Sequence, residues 1–533
     1  MASTPTTKSQ VQAYRFVLRR MQSALVRKDA VMLHDPMRNH SRATVIGVVL
    51  GCVGLLGFTV FGFFSPSPQP PDEGIVISKE SGAVYVVQKE PHLLIPMTNL
   101  ASARLFLFAQ QTPDAAQANG QGGGDAPAGA VGSNGPSGGA VKVVSEASLS
   151  KLARGRLTGI ADGPELLPTP DQRIGSNWMV CDQTQLDQSL PDPTQQKKFT
   201  TTVLAGVSGG GDSLDGTKAL LLVAPNQKAY LVYRAPSTSV HPNAKAVRAE
   251  IDLADAAVKS AFNLTGKSPR PASAGLLSAI PEASKLTAPT IAGRGSQADY
   301  LASTTIGDVI EVDRTGGAKE FYVALQDGLQ KVPQAVGDLI RYKYSSGSQP
   351  RIVPPDQIAS AKITASPLKL EDYPTEVPQV VDTTPSNQAV CLGWSAQGKD
   401  ERTEVLTGSK LPISADTPPV MINQPGADGQ TLAGFFITPG KAAVVRSTSS
   451  SQDFDRGPIQ LITPRGVKFG IPDTKTSAAL GLGDNNFAAA PDAILRLLPA
   501  GTELNRNGAI RSYDSMQVQP GVLASNLNQG QGR

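Results

Sequence analysis

Residues 43–64 read ATVIGVVLGCVGLLGFTVFGFF, a run of 22 residues without a charged side chain. A helix rises about 1.5 Å per residue, so a helix of this length measures about 33 Å and crosses a hydrocarbon core of about 30 Å. A signal peptide has a shorter apolar core close to the start of the chain, whereas residues 1–42 precede this run. The run therefore predicts one transmembrane helix, followed by a Pro-rich linker over residues 65–74.

The charges on either side of the run predict its orientation. Residues 1–42 carry eight Lys and Arg against two Asp, a net charge of +6, and the chain beyond the run begins with residues 70–73 (PPDE). The positive-inside rule places residues 1–42 in the cytoplasm and the rest outside. The remaining 491 residues carry 41 basic and 43 acidic side chains. Nucleic-acid binding needs an excess of basic charge on the large domain, so that function is excluded.

The cytoplasmic segment contains a second helical pattern. Residues 9–34 place apolar side chains at helical spacing, which predicts an amphipathic helix that ends at Asp35-Pro36. Its apolar positions are Val11, Tyr14, Leu18, Met21 and Leu25. The basic residues that we expect to bind partner subunits or anionic headgroups are Arg15, Arg19, Arg20, Arg27 and Lys28. The alternative is a solvated segment that only sets the topology.

Beyond the membrane, residues 75–515 read as a folded, loop-rich domain. Residues 112–140 are a Gly- and Ala-rich insertion and residues 516–533 a polar tail, and both compositions predict disorder. A short pattern recurs four times in the domain: a strand with an aromatic or aliphatic residue, a turn, a second strand ending near proline, and a helix. The four copies lie near residues 84–107, 230–252, 321–342 and 459–482.

Within these copies, the distances along the chain agree. From Tyr85, Tyr230, Tyr322 and Leu461 to the proline that follows, the spacings are 11, 12, 11 and 11 residues. The predicted helices follow the prolines, and the second copy's helix is expected over residues 244–252. Such β-hairpin–helix units cannot bury their own faces alone. The order of segments also suggests two halves, residues 75–292 and 316–510.

Two cysteines lie in the exported part. Cys52 is inside the apolar run, which leaves Cys181 and Cys391, and two cysteines in an oxidising compartment predict one disulfide. The flanking residues mirror each other, Trp178-Met-Val-Cys181 against Cys391-Leu-Gly-Trp394. We therefore expect a disulfide that joins the halves beside packed indole rings. Two unrelated buried thiols are the alternative.

Three glycine-rich strings match catalytic motifs in part. Residues 211–218 have the glycine spacing of a phosphate-binding loop, but Thr and Lys are in the wrong order and two carboxylates would face the phosphates; residues 434–441 have one residue too many. Residues 206–210 (GVSGG) fit a nucleophile elbow by spacing alone. The chain has four histidines, at positions 34, 40, 92 and 241. We therefore expect no catalytic, cofactor or metal site and no enzyme activity.

The chain resembles the EccB component of the type VII (ESX) secretion systems of mycobacteria and related actinobacteria from about residue 6 to about residue 515. The resemblance lies in residues 6–16 (TTKSQVQAYRF), 24–29 (ALVRKD), 35–38 (DPMR), 81–86 (SGAVYV), 99–105 (NLASARL) and 497–499 (LLP), and in the two Trp/Cys segments. The insertion over residues 112–140 departs from the family pattern, and so does IADGP at residues 160–164.

The resemblance implies a fold class: α+β and β-rich, with a single N-terminal transmembrane helix and a quasi-two-fold, propeller-like domain of four small β-hairpin–helix repeats around a central β core. It implies a structural core component that holds the inner-membrane assembly together and forms its periplasmic part. The implied location is the cell inner membrane, with one pass, a cytoplasmic N-terminus and a periplasmic C-terminal domain.

The resemblance also implies partners: the FtsK-like motor ATPase EccC, EccD, EccE, the mycosin protease and further copies of the chain. No cofactor is implied. Two alternatives stay open, a peptidoglycan-binding module of the cell envelope that contacts the wall, and an ATPase associated with the same complex. Family records sometimes carry an ATPase label, but the residues quoted above do not support it.

Overall fold

The computed structural model describes residues 7–27, 37–64, 69–111, 140–186, 198–236, 239, 241, 244–314, 316–424, 426 and 432–515. The chain divides into two compact units, Met1–Gln69 and Pro70–Arg533. Several predictions fall outside the described residues: residues 65–68 of the linker, the insertion except residue 140, the tail, Lys28 and the helix end at Asp35-Pro36.

The first unit contains helices α1 (Lys8–Arg27) and α2 (Met37–Phe64). In the described part of the chain, α2 is the one helix long and apolar enough to cross a membrane, over Arg42–Gly62. This agrees with the predicted apolar N-terminal helix. The helix begins six residues before the predicted span because polar residues ahead of an apolar run can continue the same backbone hydrogen bonds.

The second unit contains four groups of elements with a common order, which we call modules 1 to 4. Each module has three antiparallel strands, a helix, a short strand that pairs in parallel with the first of the three, and a short helix. Module 1 comprises β1 (Gly74–Ser78), β2 (Val84–Gln88), β3 (Leu93–Met97), α3 (Leu100–Gln111), β4 (Lys142–Val144) and α4 (Glu146–Leu149). After it come β5 (Ala153–Arg154), β6 (Leu157–Thr158), β7 (Asn177–Thr184), β8 (Phe199–Ala205) and β9 (Asp212–Ser213).

Modules 2 and 3 occupy the middle of the chain. Module 2 comprises β10 (Lys218–Val223), β11 (Ala229–Arg234), β12 (Ala246–Ile251), α5 (Ala256–Ala261), β13 (Arg270–Pro271) and α6 (Ala274–Ala279), and β14 (Glu282–Ala283) follows. Module 3 comprises β15 (Val309–Asp313), β16 (Lys319–Leu325), β17 (Gly328–Val332), α7 (Gln334–Tyr344), β18 (Arg351–Ile352) and α8 (Pro355–Ser360), and β19 (Gln379–Val380) follows.

Four further strands lead to module 4. They are β20 (Ala389–Gln397), β21 (Asp400–Gly408), β22 (Val420–Met421) and β23 (Gly434–Ile437). Module 4 comprises β24 (Ala443–Thr448), β25 (Ile459–Ile462), β26 (Lys468–Ile471), α9 (Thr474–Ala479), β27 (Ala488–Pro491) and α10 (Asp492–Leu495), and α11 (Arg506–Ala509) and β28 (Ser512–Tyr513) close the described chain. The fold is mixed α+β and rich in β-structure, as expected.

The sequence explains where the module helices begin. The side chains of Asp255, Ser273 and Asp473 accept hydrogen bonds from backbone N–H groups in the first turns of α5, α6 and α9. Such caps satisfy donors that the helix itself leaves free. Pro333 directly precedes α7, where its fixed φ suits the change from strand to helix. These polar and proline signals mark where α5, α6, α7 and α9 begin.

One of the predicted helices is wrong. Residues 244–252, expected to be the helix of the second copy, contain β12, which pairs antiparallel with β11 over its whole length. The helix of module 2 is α5 and begins only after the cap at Asp255. The alternation of Val247, Ala249 and Ile251 on one face of β12 fits a strand, because side chains of a strand alternate between faces.

The hydrophobic cores join modules that are distant in sequence. Module 2 packs against module 3, with α5 against α7 and a shared core that includes Leu231, Phe262 and Leu339. Module 1 packs against module 4, with α3 against α9 and a core that includes Leu105 and Phe469. Between these pairs lies a seven-stranded sheet of order β22-β23-β8-β7-β20-β21-β9.

Candidate functional sites in the central sheet and the basic helix

The central sheet brings the two cysteines together. Strands β7 and β20 are antiparallel neighbours, and Cys181 lies directly opposite Cys391 in their register. The two residues form a disulfide across 210 positions of sequence, with their Cα atoms 4.0 Å apart. The disulfide is buried on one face of the sheet with Met179, Leu204 and Phe436.

The tryptophans lie on the opposite face of the same sheet. Trp178 is opposite Trp394 in the register, and both belong to the core on the other side from the disulfide. The prediction of indole rings beside the disulfide is therefore wrong. In a strand, residues three apart point to opposite faces, so a Trp-x-x-Cys spacing separates the two side chains. The Trp394 indole instead donates to Glu401 Oε1 at 2.7 Å and packs edge-on against Phe454.

The mirrored order of the two segments has a simple cause. A gene duplication repeats residues in the same order along the chain, whereas antiparallel neighbours that share a face run in opposite orders. Trp178 and Cys181 face Trp394 and Cys391 in this reversed way. The mirror is thus a signature of pairing between β7 and β20, and it does not by itself indicate duplication.

Next to the disulfide lies a buried polar cluster that sequence reasoning missed. Asp182 of β7 is 2% exposed and accepts three hydrogen bonds. The donors are Thr201 Oγ1 at 2.7 Å, the Ser273 backbone N–H at 2.6 Å and Ser273 Oγ at 2.9 Å. Burial raises the pKa of Asp182 to about 6, although these hydrogen bonds and the charge of Arg270 oppose the rise.

Arg270 completes this cluster from module 2. It is 5% exposed, and its Nε donates to Thr383 Oγ1 at 2.9 Å while Nη2 donates to Asn387 Oδ1 at 3.0 Å. Burial lowers the pKa of Arg270 to about 10, so the side chain remains charged at neutral pH. The cluster thus ties β7, β8, the start of α6 and the turn before β20. Its only sequence signal was an acidic residue directly after Cys181, inside an apolar strand.

A cleft of about 400 Å³ lies where module 2, module 4 and the central sheet meet. Its polar lining includes His241, Ser278, Glu401, Thr403, Asp492 and Arg496. Asp492 is already engaged by Arg496 at 3.0 Å and by the Ser447 hydroxyl at 3.0 Å. In the described residues, no group of three His, Cys, Asp or Glu side chains could hold a metal ion.

The string over residues 211–218 does not have the surroundings of a phosphate-binding loop. Such a loop precedes a helix, whose N-terminal N–H groups face the phosphates. Here Lys218 is the first residue of strand β10 and forms an ion pair with Asp215 at 3.6 Å. Lys441 of the second string donates to the Asp171 carbonyl, and strand β24 follows it.

The string over residues 206–210 joins β8 to β9. Gly206 ends the strand with φ of +74°, and a strand rather than a helix follows Ser208, whereas a nucleophile elbow lies between a strand and a helix. The ring of His241 makes its hydrogen bond to the Glu282 carbonyl at 2.7 Å. The structure therefore places Ser208 in a turn between two strands.

The predicted basic residues lie on α1. Arg15, Arg19 and Arg20 are exposed on this helix, which also exposes apolar side chains such as Tyr14 and Leu25. Arg27 is the last residue of the helix.

The family model for the type VII secretion system ESX-1, transport TM domain B (EccB), matches residues 3–518. The chain belongs to the EccB family. It is 29% identical to the ESX-3 secretion system ATPase EccB3 of Mycolicibacterium smegmatis, with 96% of this chain and 92% of the relative covered. It is 27% identical to the ESX-5 secretion system ATPase EccB5 of Mycobacterium tuberculosis, covering 96% and 94%.

EccB-family membership is also evident in the three-dimensional structure. A chain in an intact ESX-5 inner membrane complex is similar over 98% of this chain and 99% of its own length, with 27% identity and a TM-score of 0.65. The EccB3 dimer from an ESX-3 core complex is similar over 83% of this chain and all of the other, with 25% identity and a TM-score of 0.62. The predicted family is thus confirmed, and the chain is homologous to components of membrane complexes.

Proposed function

We propose that this EccB-family chain is a structural core component of a type VII (ESX) protein secretion complex, where it holds the inner-membrane assembly together and forms part of its periplasmic portion. The observation that carries the proposal is the match over nearly the whole chain to a component of an intact ESX-5 inner membrane complex. A chain that only binds a soluble ligand would not need the apolar helix over Arg42–Gly62.

The architecture that we propose is quasi-two-fold and propeller-like, with modules 1 to 4 as four repeats around the central sheet. The common element order supports repeats, and the pairing of module 1 with module 4 and of module 2 with module 3 supports a two-fold relation. Strands β8 and β21, which flank β7 and β20, would then be equivalent. Such a body offers several similar surfaces to neighbouring subunits.

We propose that residues 1–42 are cytoplasmic and that the second unit is periplasmic, because the basic excess precedes α2. The test is cysteine labelling in a Cys52→Ser background. A membrane-impermeant reagent added to intact spheroplasts should label Glu73→Cys, whereas Gln10→Cys should react only after permeabilisation. Labelling of Gln10→Cys in intact spheroplasts would show that the proposed orientation is wrong.

The partners that we propose are the motor ATPase EccC, EccD, EccE, the mycosin protease and further copies of this chain. Relatives lie within inner membrane complexes and in a dimer, which supports assembly with such subunits. Affinity purification of the full chain in mild detergent, followed by native mass measurement, tests this. A complex with several of these subunits is expected, and a monomer without partners would refute the proposal.

We propose further that the chain catalyses no reaction of its own, although its relatives are named ATPases. Lys218, the lysine of the string over residues 211–218, lies in a strand and pairs with Asp215. Lys218→Ala should therefore leave secretion unchanged in a strain that lacks the native gene, with Lys228→Ala, another exposed lysine at a carboxylate, as the matched control. A Lys218→Ala chain that assembles but does not secrete would favour the ATPase instead.

A further inference from the structure

Helix α1 carries most of its apolar side chains on one side and its basic residues on the other. With 100° between successive residues, Val11, Tyr14, Leu18, Met21 and Leu25 fall within one arc of about 80°, and Val17 and Ala24 extend this arc to about 140°. We call this arc the apolar face of α1. In the part of the chain that the structure describes, its side chains remain open to solvent, with Tyr14 67% and Leu25 82% exposed.

The basic side chains occupy the other side of the helix. The basic residues of α1 are Lys8, Arg15, Arg19, Arg20 and Arg27, and their positions fall within a second arc of about 140°, which also contains Phe16 and Val26. Residues 1–28 contain no Asp or Glu. We call this second arc the basic face. A helix with a broad apolar face, all of its basic residues on the other side and no acid on either side matches the charge pattern of helices that lie at the surface of anionic membranes.

The chain keeps α1 close to a membrane. Only residues 28–36 connect it to α2, the helix that is long enough to cross a membrane. Nine residues span at most about 32 Å when fully extended. The end of α1 therefore stays near the headgroups of the leaflet from which α2 begins, where a negative surface potential attracts basic segments.

We propose that α1 lies in the plane of this leaflet, with its apolar face in the boundary between headgroups and acyl chains and its basic face on anionic headgroups. This inference rests on the proposed function only in so far as α2 is embedded in a membrane. A groove on a partner subunit could also bury the apolar face, but it would leave the five basic positions on the opposite side of the helix without an anionic complement. An anionic leaflet supplies both complements at the required distance.

The test uses the full chain with Cys52→Ser, reconstituted in vesicles of phosphatidylcholine alone or with phosphatidylglycerol. An environment-sensitive fluorophore is attached to Leu18→Cys on the apolar face or to Ser23→Cys on the basic face as the matched control. With the anionic lipid, the emission at position 18 should shift to the blue and resist an aqueous quencher. Position 23 should stay accessible, and added salt should weaken the shift.

A second experiment tests the contribution of the basic residues. Replacement of Arg15, Arg19 and Arg20 by Gln should lower the surface-bound to free ratio of α1 by about 100-fold, because each basic residue contributes about 1 kcal/mol at an anionic surface. Equal emission at positions 18 and 23, or no dependence on anionic lipid, would overturn the proposal. A blue shift that appears only after partner subunits are added would assign the face to a partner and also overturn it.

The test of this lipid contact can fail or succeed independently of the test of the proposed function. Co-purification with the other subunits is measured in parallel on the Cys52→Ser chain without the arginine substitutions, which we call the parent. A parent that shows lipid-dependent burial at position 18 but assembles with nothing would contradict the scaffold and leave the lipid surface standing. A parent that assembles with the other subunits but shows no lipid dependence at position 18 would support the scaffold and contradict the lipid contact of α1.

Discussion

Replacing Asp182 by Asn should change how the stability of the second unit depends on pH. The carboxyl is buried and its pKa is raised from 3.8 to about 6. Because the folded pKa lies above the unfolded one, the folded state binds the proton more tightly between these values. The contribution of Asp182 to stability is then present below about pH 4 and lost as the pH rises through about 6.

The magnitude follows from the shift. Each pKa unit corresponds to about 1.4 kcal/mol, so a rise of about two units means about 3 kcal/mol of stability lost between about pH 4 and about pH 7. Asn keeps the shape and cannot ionise, but its amide also presents donors toward Thr201 and Ser273, which are donors themselves. The stability difference at a single pH therefore mixes two effects, and its change with pH isolates the ionisation.

Urea unfolding of the purified second unit, followed by tryptophan fluorescence from about pH 4 to about pH 7, provides the measurement. The free energy of unfolding of the parent minus that of Asp182→Asn should fall by about 3 kcal/mol over this range. Asp299→Asn, an exposed site, controls for the substitution itself. A difference that grows with pH would show that the three hydrogen bonds and Arg270 dominate burial and hold the pKa down.

Two further predictions concern stability. Cys181→Ala should lower the free energy of unfolding by a few kcal/mol and at most about 5, since the disulfide closes a loop across 210 residues. An unchanged urea midpoint of the variant, or two free thiols in a mass spectrum of the unsubstituted protein, would contradict this prediction. Gly457→Ala should destabilise by more than about 2 kcal/mol, because an added Cβ would meet the Ser447 carbonyl oxygen at 1.7 Å. Gly175→Ala, where nothing lies within 4 Å, should be nearly neutral, and equal thermal shifts for the two variants would count against the packing argument.

The sequence was most informative where one physical requirement acts alone. A span needs only length and apolarity, so residues 43–64 were sufficient to predict α2. The disulfide needed only the count of cysteines and a compartment, and its two residues are paired as expected. Neither prediction required knowledge of which segments pack together, because the first rests on the composition of one segment and the second on the number of cysteines in the exported part.

Prediction failed where the pairing of strands decides the structure. Residues 244–252 were expected to form a helix after the proline of the second copy, although Val247, Ala249 and Ile251 alternate as in a strand, and the segment pairs with β11 in the sheet of module 2. The first strand of each module was also missed, because the recurring pattern begins at the second strand. Strand propensity is weak when a neighbour supplies the hydrogen bonds and the burial.

The polar cluster shows the same limit at the level of single residues. Asp182 lies 91 positions from Ser273, and Arg270 lies 113 positions from Thr383. No local spacing brings these residues together, because a module, the central sheet and a turn each supply a part. A buried carboxylate can be recognised in sequence only as an acid in an apolar strand, and its partners emerge only from the fold.

The way the modules pack has a consequence for the role proposed here. Module 1 shares its core with module 4, and module 2 shares its core with module 3, so each half of the chain completes the other's packing. The disulfide and the Asp182 cluster then join the halves in the middle strands, β7 and β20, where the two parts of the chain meet. Modules 1 and 3 also have small cores of their own, but the two shared cores and the middle strands hold the halves together. A structural subunit of the kind proposed benefits from such an interleaved core, since packed interiors resist gradual deformation.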